Sequence, residues 1–169
     1  MFSRPMSSRA FDQHSLVQVP QAVQFVQKRA GAVFYDGKFN DIPNTVKGAA
    51  RAVAALGVGM FNVHASCGID AMLDAVEVKG NSLALAVTLL TSIDDNGASL
   101  DFGDPAAAVV LKYARNAKLA GMDGLVCSAQ ELLLRDTHQQ DILFCIISIL
   151  SNKSFSISIS IFMYLAKQD

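Results

Sequence analysis

Asp36-Gly37-Lys38-Phe39-Asn40-Asp41-Ile42-Pro43-Asn44-Thr45 is the stretch on which fold and chemistry both turn. Before it stands a short apolar run, Ala32-Val33-Phe34-Tyr35, which reads as a buried strand. After it, Val46 to Leu56 reads as a helix. Two carboxylates and a lysine therefore stand where a strand ends and a helix begins. In α/β folds that is the end of the sheet at which ligands collect. Side chains two apart on a strand share a face, so Asp36 and Lys38 point the same way if the strand persists that far. Asp41 lies past the strand end, where a loop could turn it back or send it to a neighbouring chain. Read singly, Asp41 or Asn44 is a helix cap and Pro43 a first-turn residue.

Outward from this stretch the chain alternates apolar runs with helical segments. Gly57 to Ala65 reads as a second strand, Gly68 to Val76 as a helix and Leu83 to Leu90 as a third strand. Asp94-Asp95-Asn96-Gly97 reads as a solvated turn. Asp104-Pro105 is expected to open a long helix through Ala120, with Asp104 as N-cap and Pro105 at the first helical position. Gly124 to Cys127 is a fourth strand, and Gln130 to Leu134 begins another helix. Upstream, Pro20 to Arg29 suits a short amphipathic helix with proline at its start and Gly31 as its stop. Near-continuous apolar strands alternating with helices signal a parallel sheet covered on both faces. About four βα units make half of a (β/α)8 barrel, so the fold class is α/β, a partial TIM-type barrel with parallel strands.

The decapeptide as a whole closely resembles the active-site segment of the orotidine 5'-phosphate decarboxylase family. Hexulose-phosphate synthases share its Asp-x-Lys-x-x-Asp part, and the Asp-Ile-Pro-Asn-Thr continuation favours the decarboxylase. Further segments follow in the family's order. Asn62-Val63-His64-Ala65-Ser66 resembles its next strand end, and Val87-Thr88-Leu89-Leu90-Thr91-Ser92 the strand whose hydroxyls approach the nucleotide. Gly124 to Glu131 resembles the strand after that. The resemblance runs from about Pro20 to about Arg135.

The resemblance implies removal of carbon dioxide from orotidine 5'-phosphate (OMP) to give uridine 5'-phosphate (UMP), with no metal or cofactor. Lys38 would be the general acid that protonates the carbon left by the carboxylate. Asp36 would lie near the substrate carboxylate and hold Lys38 charged. Asp41 and Thr45 would reach across a homodimer interface, and Thr91 would contact the nucleotide. The expected site is thus Lys38, Asp36 and Asp41 as catalytic groups, with Asn44, Thr45, Thr91 and Ser92 beside them in binding substrate. In the family the loop that follows the segment matching Asp94 to Gly97 helps to close over the pyrimidine, and the resemblance implies the same here.

Other readings of single residues are plainer. His64, ending a strand, is a hydrogen-bonded structural histidine rather than a base. Cys67 and Cys127 are packing residues, since no base or positive partner is evident. Thr91 and Ser92 satisfy loop backbone groups unless the resemblance assigns them more.

Composition sets the outer bounds. A chain of 169 residues is enough for one domain with a buried core. It is 51% hydrophobic, and its mean hydropathy of +0.33 is high. A net charge of −1 provides no basic field for nucleic acid or an anionic membrane. Cys67, Cys127 and Cys145 make neither a metal pattern nor a Cys-x-x-Cys pair, which fits free thiols in the cytoplasm.

The two ends depart from the family. Residues 1–19 are polar and hold neither the ribose-contacting aspartate nor the second network lysine of the family's first two strands. Residues 20–135 carry the decarboxylase-like partial barrel. Residues 136–169 form an apolar, Ser/Ile-rich tail unrelated to the family, whose period-two alternation from Ser154 to Leu165 reads as an amphipathic strand. The Asn152-Lys153 break leaves neither of its apolar runs long enough to span a membrane. No glycine follows Gly124 and no arginine follows Arg135, so the family's phosphate grip has no counterpart. Turnover by this chain is therefore expected to be impaired or absent. Two alternatives stay open. One is a related phosphate-sugar enzyme, a hexulose-phosphate synthase or keto-gulonate-phosphate decarboxylase. The other is a non-catalytic fragment that assembles with intact subunits.

Overall fold

The computed structural model describes the backbone of residues 13–127, 144–148 and 160–164, and side-chain environments from residue 19 to 127. The helix expected from Gln130 and most of the tail lie outside the described residues. Two compact units divide at Val33.

The first unit carries helix α1, Gln13–Ala30. It starts seven residues before Pro20, which was expected to open it and instead sits inside. A proline removes one N–H bond from a helix but does not by itself end it. Helix α1 stops where expected. Gly31 takes a φ of +78° and returns its N–H to the Gln27 carbonyl, a conformation glycine adopts without a Cβ penalty. In the last turn the Arg29 guanidinium lies 3.6 Å from the centre of the Phe25 ring.

The second unit is built on one sheet, in the order β1-β2-β3-β4-β5-β6. Strands β1 (Phe34–Phe39), β2 (Met60–His64), β3 (Leu83–Val87) and β4 (Gly124–Cys127) pair in parallel, in sequence order. Helices α2 (Pro43–Ala55), α3 (Ile69–Val78), α4 (Asp95–Phe102) and α5 (Ala106–Leu119) stand between them. Strand β5 (Phe144–Ser148) adds in parallel to β4. Strand β6 (Ser160–Tyr164), inside the Ser/Ile alternation, runs antiparallel to β5. The four parallel strands alternating with helices are the α/β architecture expected from the sequence.

Burial explains why these segments hold. In α2, Val46, Ala50 and Val53 fall on one face at spacings of four and three, and all three are buried. In α3 the inward residues are Ala71, Met72 and Ala75. Lys47 joins the two helices from outside, 3.1 Å from Asp74 and 2.8 Å from Glu77. Ala84 to Val87 of β3 are all buried, as a strand covered on both faces requires. Leu89, Ala98, Val109 and Val110 form a further apolar cluster under α4 and α5, with Phe102 set edge-on against Tyr113.

Several expected boundaries move. Asp94 to Gly97 is not a turn but the start of α4. Asp94 is its N-cap and its carboxylate accepts the Gly97 N–H at 2.8 Å, which supplies one of the donors a helix start leaves open. Asp104 does not cap α5. Pro105 is the N-cap, and the carboxylate of Asp95 takes the Ala106 N–H at 2.9 Å. Neither Asp41 nor Asn44 caps α2. Its N-cap is Ile42, without a side-chain bond, and Pro43 holds the first-turn position expected of it. Strand β2 is shorter than expected, because Gly57 turns with φ +75° and Ala65 opens a 3-10 turn through Cys67. Strand β3 stops at Val87, and Thr88 ties it to β4 with both its N–H and its hydroxyl on the Val126 carbonyl.

Candidate active site at the carboxyl ends of β1 and β2

Strand β1 extends further than the apolar run suggested and carries Asp36 and Lys38 within it. It is not regular there. Tyr35 pairs with Phe61 and Phe39 with Val63, so four steps on β1 match two on β2. Asp36, Gly37 and Lys38 together stand opposite Asn62. Such a bulge bends the strand and re-aims its side chains, and bulges are frequent beside active sites. Lys38 has a φ of +44°, the one positive φ outside glycine among the described residues. A non-glycine residue rarely adopts that conformation unless its surroundings enforce it.

Asn62 supplies that enforcement. Its Oδ1 accepts the Lys38 backbone N–H at 2.7 Å, and its Nδ2 donates to Asp36 Oδ1 at 2.6 Å. The other carboxylate oxygen, Oδ2, receives Lys38 Nζ at 2.5 Å. About half of each charged side chain is exposed, 52% for Asp36 and 44% for Lys38, so the pair opens to solvent and to a ligand. Burial pushes the Asp36 carboxyl upward. The hydrogen bonds from Lys38 and Asn62, with the charges of Lys38 and His64, outweigh that and hold it below its ordinary value. Asp36 is therefore ionised at neutral pH, and an ionised partner keeps the Lys38 ammonium in place as a proton donor.

His64 ends β2, half-buried. Burial first and the Lys38 charge second keep its imidazole below the usual histidine range, with Asp36 opposing them. It is neutral at pH 7, as a structural histidine would be. The Cys67 thiol is pushed up to about 11 by burial, the opposite of an activated nucleophile. Cys127 is buried, in keeping with a packing role.

The other expected site residues are placed differently. Asp41 is exposed and its Oδ1 accepts the adjacent Ile42 N–H at 2.7 Å, a local turn contact. Asn44 and Thr45 lie exposed on the first turn of α2. Thr91 and Ser92 occupy an exposed turn beyond β3, closed by the Ile93 N–H on the Leu90 carbonyl. No hydrogen bond among the described residues joins any of these five to Asp36 or Lys38. Asn40 accepts from the Ser66 hydroxyl at 3.4 Å, a weak link between the loops after β1 and β2. Two residues that the motif reading passed over matter here. Gly37 is one, since a Cβ there would lie 2.6 Å from the Tyr35 ring and 2.8 Å from the Phe39 ring. Asn62 is the other, and its signal was an amide in the middle of the apolar strand Met60–His64, where a buried polar group must find partners.

The chain is 43% identical over 136 residues to the orotidine 5'-phosphate decarboxylase of Hahella chejuensis, covering 76% of this chain and 57% of that protein. It is 47% identical over 117 residues to that of Teredinibacter turnerae, covering 66% and 50%. Among solved structures, an uncharacterized conserved protein from Geobacillus kaustophilus superposes with a TM-score of 0.68 at 36% identity, over 76% of this chain and 65% of that one. The orotidine 5'-phosphate decarboxylase of Lactobacillus acidophilus superposes with a TM-score of 0.63 at 33% identity, over 73% and 60%. The chain spans about half the length of the curated relatives it matches. The family match covers residues 9–150, reaching beyond both ends of the segment that carries the motifs, and by that match the chain belongs to the orotidine 5'-phosphate decarboxylase / HUMPS family.

Proposed function

We propose that the β1 site is an orotidine 5'-phosphate decarboxylation site whose turnover in this chain is low. The observation that carries the reading is the ionised Asp36 carboxylate bonded to Lys38 Nζ on a bulged strand end. The carbon–carbon bond to the substrate carboxylate breaks, carbon dioxide leaves, and the electron pair stays on the ring carbon. Lys38 Nζ lies nearby as an ammonium, stabilises that charge and delivers a proton to the same carbon. Asp36 faces the departing carboxylate and holds the Lys38 side chain in place. The product is uridine 5'-phosphate, and the chain's own groups supply every proton. Decarboxylases as relatives at 43–47% identity support this reading over a sugar-phosphate enzyme.

The exposed segment from Asp41 to Thr45 is proposed to face a second copy of the chain. Ile42, a large apolar residue 66% exposed in the single chain, supports that placement, as does the exposure of Asp41 and Thr45 beside it. Asp41 and Thr45 then contribute to the partner's site rather than their own. No helix among the described residues is long and apolar enough to cross a membrane. A cytoplasmic location is proposed on the family match alone. The reading of low turnover rests on residues 136–169 as they stand, which hold no arginine to grip the phosphate. Binding energy from remote groups drives reaction at the ring carbon, so its loss lowers kcat as well as affinity.

Decarboxylation followed by ultraviolet absorbance, beside a Lys38→Ala control, tests the proposal. Slow conversion of orotidine 5'-phosphate that vanishes in the control is expected. Conversion that survives Lys38→Ala, or none by the unaltered chain, overturns it.

A further inference from the structure

Three polar side chains are buried among the described residues, Asn62 in β2 and Ser82 and Thr88 at the two ends of β3. Ser82 gives its hydroxyl to the Val58 carbonyl at 2.7 Å, and Thr88 to the Val126 carbonyl at 3.2 Å. Both are staples between backbone segments. Asn62, 1% exposed, spends both ends of its amide on the two charged residues of the β1 site. The chemistry fixes which end is which. A backbone N–H requires the amide oxygen, and a carboxylate oxygen requires the amide N–H.

We infer that Asn62 is the positioning residue of this site, holding Lys38 in its left-handed backbone turn and clamping Asp36 so that the two charged groups are set before substrate arrives. The register leaves Asn62 opposite three residues of β1, so the ladder bonds of a regular strand pair are interrupted there. The side-chain amide replaces them. It accepts the N–H of the one non-glycine residue with positive φ and orients the carboxylate that receives its ammonium. Lys38 is thereby reached at both ends, through its own N–H and through Asp36. Among the described residues, the titratable groups that act on Asp36 are Lys38 of β1 and His64 of β2.

The consequence for turnover rests on reading Lys38 as the proton donor, whereas the positioning itself does not. The test therefore reads the site directly. The Asp36 side-chain carboxyl is titrated by carbon NMR in the full chain, assigned with Asp36→Asn, and compared with Asn62→Ala and Asn62→Asp. Asn62→Asp keeps the shape of the residue and its acceptor for Lys38 N–H, but turns an oxygen toward Asp36, so it covers the case in which the alanine variant does not fold. An upward shift of the Asp36 titration in Asn62→Ala is expected, and in Asn62→Asp uptake of a proton shared between the two carboxyls at higher pH than in the unaltered chain. An Asp36 titration unmoved in a folded variant overturns the inference and leaves Asn62 as core filling. If the unaltered chain decarboxylates, kcat should fall roughly 100-fold in Asn62→Ala with KM nearly constant, the scale set by misplacing a catalytic group by about an ångström. A moved titration in a chain without activity would count against the proposed reaction and for the positioning role.

Discussion

The Tyr35 ring occupies the space beside Gly37 where any other residue would put its first side-chain carbon, 2.6 Å from the Cβ position. The Phe39 ring closes the other side at 2.8 Å, and the two rings stand 6.1 Å apart. Tyr35, Gly37 and Phe39 alternate along the strand with Asp36 and Lys38, so the aromatic face and the charged face share one backbone. Gly37 is the gap that lets the rings approach. Phe39 in turn packs on Phe61, which is fully buried. Gly37→Ala should push the rings apart and shift β1, at a cost of about 1–3 kcal/mol typical of overpacking. Urea unfolding of the variant beside the unaltered chain measures it, and an unchanged midpoint would show that the rings relax freely.

How much of this was legible in the sequence follows from what each signal depends on. Buried parallel strands need apolar runs, so the runs around Phe61, Leu85 and Leu125 marked β2, β3 and β4. The bulge was not legible, because it is a mismatch of count between two strands and neither strand shows it alone. Asp36 and Lys38 were expected just past the apolar run, and they form the carboxyl end of β1 itself. Asp95 was read into a turn because acidic residues beside glycine favour turns. It opens α4 instead, and its carboxylate reaches eleven positions along to Ala106, a contact no local pattern encodes. Asp41, Asn44, Thr45, Thr91 and Ser92 were found through the family motif, and their exposure in the single chain gives no geometry that joins them to Lys38.

At the opposite end of the sheet, Asp123 does structural work that a substitution should expose. Its carboxylate accepts the Ala84 N–H at 2.8 Å and stands 3.0 Å from Lys79 Nζ, while its own N–H returns to the Ala84 carbonyl at 2.9 Å. Ala84 is fully buried, so its N–H has no access to water if the carboxylate is removed. Asp123→Ala should cost about 1–3 kcal/mol, the penalty for an unsatisfied buried donor. Lys79→Ala removes a partly exposed ion pair and a long 3.3 Å bond to the Ser82 carbonyl, and should cost about 1 kcal/mol or less. Thermal or urea unfolding of the two variants compares them. Equal losses would mean that the ion pair, rather than the backbone bond, holds the amino ends of β3 and β4.

His64 gives the site end of the sheet a pH dependence of definite sign. Burial and the Lys38 ammonium hold its folded pKa below the unfolded value near 6.5, with Asp36 opposing in part. Below that unfolded value the unfolded chain binds a proton on this imidazole that the folded chain still refuses. The unfolded state is then favoured by proton uptake, and stability declines as pH falls from about 6.5 through the folded pKa. Above the unfolded value the group makes no pH-dependent contribution. Asp36 acts in the same direction at lower pH, since its folded pKa is also depressed and its contribution is lost as the carboxylate is protonated. Replacing the imidazole with a neutral amide, His64→Gln, should flatten the stability curve just below about pH 6.5, the unfolded imidazole value. Urea midpoints for both chains at half-unit pH steps measure the difference. An unaltered chain that instead gains stability over His64→Gln as pH falls would require an imidazole stabilised in its charged form, and would place Asp36 rather than Lys38 as its dominant neighbour.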